Sequence, residues 1–289
     1  MMIRSISLLV ACLVLLGSHG CGGGGGIVLG TLAISSNPSG IQIFLDGADT
    51  GQQTPATINN VSVGPHTIRL IMTGGAQTRS ATIPINVVAG NNTVSFDFTG
   101  TGSITVNVPA ALKAGETFTV NAMRDGAVIK TATGNVVGGS VSVTLTDMEP
   151  GDVLLDMGMM GTSPDAGVGP VIIGFSSAQT AVVSGQTRTI AATMTSAIAQ
   201  ILLSAGSVTV FVGENRTVTA RAVNGAGQTV PINGTFVWVS GNTGIATVNG
   251  SGVVSGVAKG STTATVLETE SNVSSAAAVE VIDFPPPPP

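Results

Sequence analysis

Reactive and aromatic side chains are scarce in this sequence, and each scarcity removes a class of function. Cysteine occurs only at Cys12 and Cys21, both in the first segment, so the body of the chain carries no disulfide, no CxxC redox pair and no cysteine-ligated zinc. Histidine occurs twice, and once a leader ending before Cys21 is removed, His66 alone remains. That excludes a histidine pair for zinc and leaves a hydrolase triad one candidate base. The spacings GxSxG, SxxK, HExxH and the P-loop are absent, and Gly22 to Gly26 neither follows a strand nor opens a helix, so it is no phosphate cradle. Tyrosine is missing and aromatics make up 3% of the chain, which leaves a poor platform for stacking sugars. Charged residues are 9%, the ten basic ones stand singly and the formal net charge is -5, so nucleic acid is not an expected partner.

What is present points to strands. Hydrophobic residues reach 43%, Gly numbers 40, and Thr, Ser and Val fill much of the rest. Helical surfaces draw on Glu, Lys, Arg and Gln, whereas β-branched residues suit a pleated sheet. Short β-branched runs separated by Gly, Asn, Asp and Pro clusters predict an all-β chain of tandem small β-sandwiches, and 289 residues suffice for two or three of them.

The first segment reads as an address. Arg4 precedes an apolar run from Ile6 to Leu16, then Gly17, Ser18 and Gly20 lead to Cys21, which is signal-peptide architecture over residues 1–20. The run falls short of the roughly 20 residues a spanning helix needs. Gly20-Cys21 resembles the bacterial lipobox, with Ser18 where that family usually has Leu. The resemblance implies cleavage, diacylation of Cys21 and anchoring in a membrane, and Gly22 in place of Asp implies outer-membrane sorting. Leu9-Val10-Ala11-Cys12 is the alternative lipobox, though cleavage there would leave Leu13 to Leu16 at the mature end; a plain secretory signal is the other alternative. The Gly-rich stretch over residues 21–29 reads as a flexible tether.

Three segments open alike, at Gly30-Thr31-Leu32-Ala33-Ile34, Gly102-Ser103-Ile104-Thr105-Val106 and Gly206-Ser207-Val208-Thr209-Val210; two close alike, at Val87-Val88-Ala89-Gly90 and Val182-Val183-Ser184-Gly185. In the first, Ile41 to Leu45 runs into Asp46-Gly47, a hairpin-turn dipeptide, and a second strand pair is expected around Gly64-Pro65. Pro38, Gly40, Asp46-Gly47, Gly51, Thr54-Pro55, Gly64, His66 and the strand Ile68 to Ile71 resemble the PEGA domain, which implies an extracytoplasmic β-sandwich over residues 30–99. Trp238, Ser240, Ile245-Ala246-Thr247-Val248, Gly252-Val253-Val254 and Gly256-Val257-Ala258-Lys259-Gly260 resemble a bacterial immunoglobulin-like domain of group 2 over residues 200–283. There Asn249-Gly250 is expected to turn the chain, and the resemblance places Trp238 at the packing centre. Residues 102–195 resemble no named family; Asp125-Gly126 predicts a hairpin between Thr117 to Arg124 and Ala127 to Thr133, with further strands at Val141 to Leu145 and Gln186 to Met194. Pro285 to Pro289, in the tail over residues 284–289, reads as a polyproline II spacer, and a spacer with nothing after it suggests a truncated chain.

Few residues invite chemistry. His66 starts a strand, and a structural role is expected of it. Asp147, Glu149, Asp152, Asp156 and Asp165 lie close in sequence and are candidate calcium ligands, but without DxDxDG spacing a solvated acidic turn is the ordinary outcome. Met157, Met159 and Met160 are soft donors suited to copper(I), against which stands core packing beside the strand-like Val153-Leu154-Leu155. The expectation is therefore a non-enzymatic, lipid-anchored envelope protein with no catalytic residue, no metal and no cofactor. Its sandwiches would serve display or adhesion, with a cell-surface protein or polysaccharide as partner. The alternative is a carbohydrate or peptidoglycan receptor.

Overall fold

The computed structural model describes residues 28–75, 77–113 and 115–284; the expected leader, Cys21 and the proline tail lie outside them. No helix occurs among these residues, and the chain folds as β-strands grouped into three sandwiches.

The first sandwich contains β1 (Leu29–Asn37), β2 (Gln42–Leu45), β3 (Ala48–Gln53), β4 (Ala56–Ser62), β5 (Gly64–Met72), β6 (Arg79–Val87) and β7 (Gly90–Asp97). One sheet has the order β4-β1-β7 and the other β3-β2-β5-β6. Alternation drives the packing: along β1, Leu32 and Ile34 point inward, and along β5, Ile68 and Leu70 do, meeting Ile43, Ala81 and Phe98 in one core. Each fully buried Leu, Ile or Phe among them contributes about 1.5–3 kcal/mol. Asp46 and Gly47 both take positive φ, which matches the twist of a two-residue hairpin between β2 and β3. The strand pair expected around Gly64-Pro65 is not a hairpin. β4 pairs with β1 while β5 pairs with β2 and β6, so Gly64, at φ 128°, is the corner where the chain changes sheet.

The second sandwich contains β8 (Gly102–Val108), β9 (Thr117–Arg124), β10 (Ala127–Asn135), β11 (Val141–Met148), β12 (Gly151–Thr162), β13 (Pro170–Val182), β14 (Thr187–Ala191) and β15 (Thr195–Ser196). Its sheets, β11-β8-β14 and β10-β9-β12-β13-β15, repeat the first sandwich strand for strand, with β15 added at one edge. The special backbone positions repeat too. Asp125-Gly126 turns as Asp46-Gly47 does, and Asp147 and Gly151 take the positive φ values of Asn60 and Gly64 at the same spacing of four. In both, the opening strand pairs parallel with the closing one, β1 with β7 and β8 with β14. In both, a Cβ on the opening glycine would collide with the closing Val-Val: Gly30 with the Val88 carbonyl and Val87, Gly102 with the Val183 carbonyl and Val182. The matching openings and closings in the sequence are thus two halves of one contact. The unassigned middle segment has the architecture of its neighbour.

The third sandwich is built differently. It contains β16 (Ile198–Leu203), β17 (Ser207–Phe211), β18 (Asn215–Thr217), β19 (Ala220–Asn224), β20 (Phe236–Ser240), β21 (Ala246–Val248), β22 (Val253–Gly256), β23 (Gly260–Glu268) and β24 (Ser274–Ile282). Its sheets are β16-β19, β17-β24-β23-β20 and β18-β22-β21. β17 again pairs parallel with the last strand. Between β21 and β22 the Asn249 carboxamide accepts the Ser251 and Val253 amides, and the positive φ falls on Gly252 rather than on Gly250.

Candidate functional site

The sequence singled out His66, an acidic run, a methionine cluster and Trp238, and the structure gives each of them a partner. His66 stands at the centre of an arrangement that sequence order hides. Its Nδ1 lies 2.6 Å from Asp46 Oδ2, and its Nε2 lies 3.1 Å from Ser62 Oγ, the spacing of a Ser-His-Asp triad. The same Nε2 is 2.8 Å from the Ser62 carbonyl oxygen. When Nε2 carries hydrogen it donates to that carbonyl oxygen, which leaves it no lone pair for the Ser62 hydroxyl proton. The hydrogen bond to Asp46 raises the imidazole pKa above its usual value and depresses that of Asp46, whose other oxygen accepts the Thr67 amide at 2.8 Å. This is a clasp between the β2–β3 turn and the start of β5.

The acidic run does not converge on a cation. Asp152 and Asp156 share the outward face of β12, but four residues of strand separate them by about 13 Å, too far to share a cation whose ligands sit at about 2.3–2.6 Å. No three His, Cys, Asp or Glu residues gather to hold a metal among the described residues. Instead the run joins the first two sandwiches. Asp152 accepts Ser80 Oγ at 3.1 Å, the Thr82 amide at 3.1 Å and Thr82 Oγ1 at 2.7 Å, all from β6. Glu149 lies 3.8 Å from Arg79 and 3.9 Å from Arg124, while Arg124 also donates to the Glu149 carbonyl at 2.9 Å. Burial, then the neighbouring Arg79, holds the Arg124 pKa below the usual guanidinium value. Gly151 fits because a Cβ there would stand 2.9 Å from the Ser80 carbonyl. Beside this clamp opens a cleft of about 720 Å³ walled by both sandwiches.

The methionines divide between two faces of one strand. Met157 and Met159 point into the core, 1% and 0% exposed, while Met160 points outward, so the three thioethers cannot close on one copper ion. Trp238 is half-buried rather than enclosed: it packs over Gly252 and touches both the core of the third sandwich and the core shared with the second. That shared core runs from Ile173 and Met194 through Ile198 to Ile201, Ala222 and Val266, so the second joint is apolar where the first is ionic. Glu268, fully buried, escaped the sequence reading. Burial pushes its pKa up, but the Ser271 hydroxyl and the Ser271, Gly234 and Glu270 amides outweigh that and hold it below the carboxylate norm.

These features define a class, a serial array of β-sandwiches whose polar and charged residues go to turns and joints. More particularly, residues 29–99 match the family model of the PEGA domain. No curated protein matches the chain. Among solved structures, domains 4 and 5 of the S-layer protein SbsC are 18% identical, cover 56% of this chain and 99% of that one, at a TM-score of 0.28. The C-terminal fragment of intimin, in complex with the intimin-binding domain of its translocated receptor, is 16% identical over 85% of this chain and 64% of that one, at 0.24. Drosophila N-cadherin EC1-4 is 10% identical over 90% of this chain and 74% of that one, at 0.26. The chain spans 35% of the structure of SbsC domains 1-6.

Proposed function

We propose that this chain is an exported, non-enzymatic envelope protein that displays three β-sandwiches from a diacylated Cys21, with its binding surfaces on the sandwiches. The observation that carries this reading is the pair of joints. Residues 98–101 link the first two sandwiches and Ala197 alone links the last two, and each joint is consolidated by contacts from both sides. Such joints restrict the movement of one module against the next, which suits projection away from a surface. The PEGA match supports an extracytoplasmic setting, and the repeated topology supports reading residues 102–195 as a second, diverged PEGA-type module. The order and turns of β20 to β23 support reading residues 200–283 as a bacterial immunoglobulin-like domain of group 2. The engagement of both His66 ring nitrogens, by Asp46 and by the Ser62 carbonyl, supports a structural role for this triad-like constellation.

The test is palmitate labelling of wild type, Cys21→Ser and Cys12→Ser chains with and without globomycin. Label lost in Cys21→Ser and kept in Cys12→Ser is expected, with globomycin causing the uncleaved form to accumulate. Label that survives Cys21→Ser overturns the anchor.

A further inference from the structure

The cleft at the first joint has a chemical character that the joint itself does not use. Arg69 on β5 and Arg188 on β14 both line it, one from each sandwich. Neither guanidinium group makes a hydrogen bond or ion pair among the described residues, whereas those of Arg79, Arg124 and Arg221 are all engaged. The acids in the cleft are fewer and partly spent: Asp152 is held by Ser80 and Thr82, which leaves Asp125 in the β9–β10 turn. In a chain with formal net charge -5, two free guanidinium groups facing one cleft are a local reversal of sign. Guanidinium groups pair with planar oxyanions through two parallel hydrogen bonds.

The cleft continues onto the outward face of the larger sheet of the second sandwich. Leu154 and Gln179, a register pair, line its mouth; the next pair on that face is Asp156 with Ser177, and the next Gly158 with Phe175. Phe175 is 52% exposed and nothing stands within 4 Å of the space above Gly158. The path from Gln179 to Phe175 is about 13 Å, four residues of strand. Leading away from the arginine-lined cleft, it presents hydroxyl and carboxylate side chains and then an open aromatic ring. Backbone groups on this face are tied up in the sheet, so it presents side chains, whereas an acidic peptide would seek the free backbone of a sheet edge.

We propose that this cleft and the adjoining face bind an acidic glycan: Arg69 and Arg188 clamp a carboxylate or phosphate on one sugar, and Phe175 stacks on a sugar further along. The ligand bridges both sandwiches at the ionic joint. The proposal adds a ligand to the display reading and is independent of the lipid anchor, so failure here leaves the palmitate result untouched.

The test is calorimetric titration of the purified full chain with a galacturonate hexamer, its neutral galactose counterpart, a phosphorylated mannose oligomer and a glutamate hexapeptide. One or both acidic glycans are expected to bind, which separates carboxylate from phosphate as the anion, with affinity falling as salt rises. Arg69→Gln and Arg188→Gln should each weaken binding about tenfold, the fold-change for loss of one charge-assisted hydrogen bond. Arg216→Gln, on β18 of the third sandwich, should change nothing. Phe175→Ala should weaken the hexamer and leave the affinity of monomeric galacturonate, titrated alongside it, unchanged. Absence of binding by both acidic glycans, equal binding of the neutral one, indifference to both cleft arginines, or equal arginine-dependent binding of the glutamate peptide overturns the proposal.

Discussion

Asp152→Ala should loosen the first joint without unfolding either sandwich it connects. The substitution removes the acceptor of three hydrogen bonds, to Ser80 Oγ, the Thr82 amide and Thr82 Oγ1. A buried hydrogen bond to a charged group contributes about 1.5–3 kcal/mol, but this joint is partly open to water, so about 1 kcal/mol each is the reasonable discount. The joint then loses about 2–3 kcal/mol, a roughly 30- to 140-fold shift toward undocked arrangements. Because residues 28–284 contain no cysteine, spin labels can be placed singly, at Gln52→Cys in the first sandwich and Asn135→Cys in the second, with Cys12 and Cys21 replaced. Pulsed dipolar spectroscopy should show one narrow distance distribution in the parent and a broad one in Asp152→Ala. Asp152→Asn, which keeps an acceptor for the Thr82 amide, should fall between them. An unchanged distribution in Asp152→Ala would refute the assignment of this carboxylate as the clamp. High salt should broaden the parent distribution too, since Glu149 reaches Arg79 and Arg124 at 3.8 and 3.9 Å through partly solvated space.

Three further outcomes are expected. Gly102→Ala should lower the thermal midpoint through a forced contact costing about 1–3 kcal/mol, while Gly206→Ala, with nothing within 4 Å, should be neutral by the same measurement; equal effects would contradict the opening-glycine contact. Met157→Ala should destabilise by about 2–5 kcal/mol in denaturant titration and leave copper(I) titrations unchanged, because the side chain fills core. The His66 clasp should be pH-dependent in a defined sense. The raised imidazole pKa makes its contribution complete below about 6.5 and lost as pH rises through the folded value, and the depressed Asp46 pKa makes its contribution complete above about 3.8 and lost as pH falls through the folded value. Module stability from the clasp should therefore peak between those limits, and NMR titration of the His66 ring should give a midpoint above that of free imidazole; a midpoint below it would contradict the Asp46 clasp.

The sequence disclosed what local geometry decides. Asp46-Gly47 and Asp125-Gly126 announced hairpins because two successive positive φ angles suit few other dipeptides, and both turns are present. Core packing, one of the two readings of the methionine cluster beside the strand-like Val153-Leu154-Leu155, holds for Met157 and Met159, because side chains on a strand alternate with period two. Gly64-Pro65 was misread for the same locality: a chain reversal looks alike whether the next strand pairs with the last or crosses to the other sheet. The duplication of the first sandwich in the second was visible only as matching openings and closings. What is repeated is strand order and the positions of positive φ, and many sequences satisfy both.

Composition and periodicity by themselves determined an all-β chain with little material for catalysis, since they count side chains and report their faces. Only the tertiary structure decided what the charged residues are for. Asp152 meets Thr82 across 70 positions, and Arg69 comes to share a cleft with Arg188 because two sheets dock there. Electrostatic partnership depends on distance in space, and in a β-sandwich nearly all such distances are set by strands far apart in the chain.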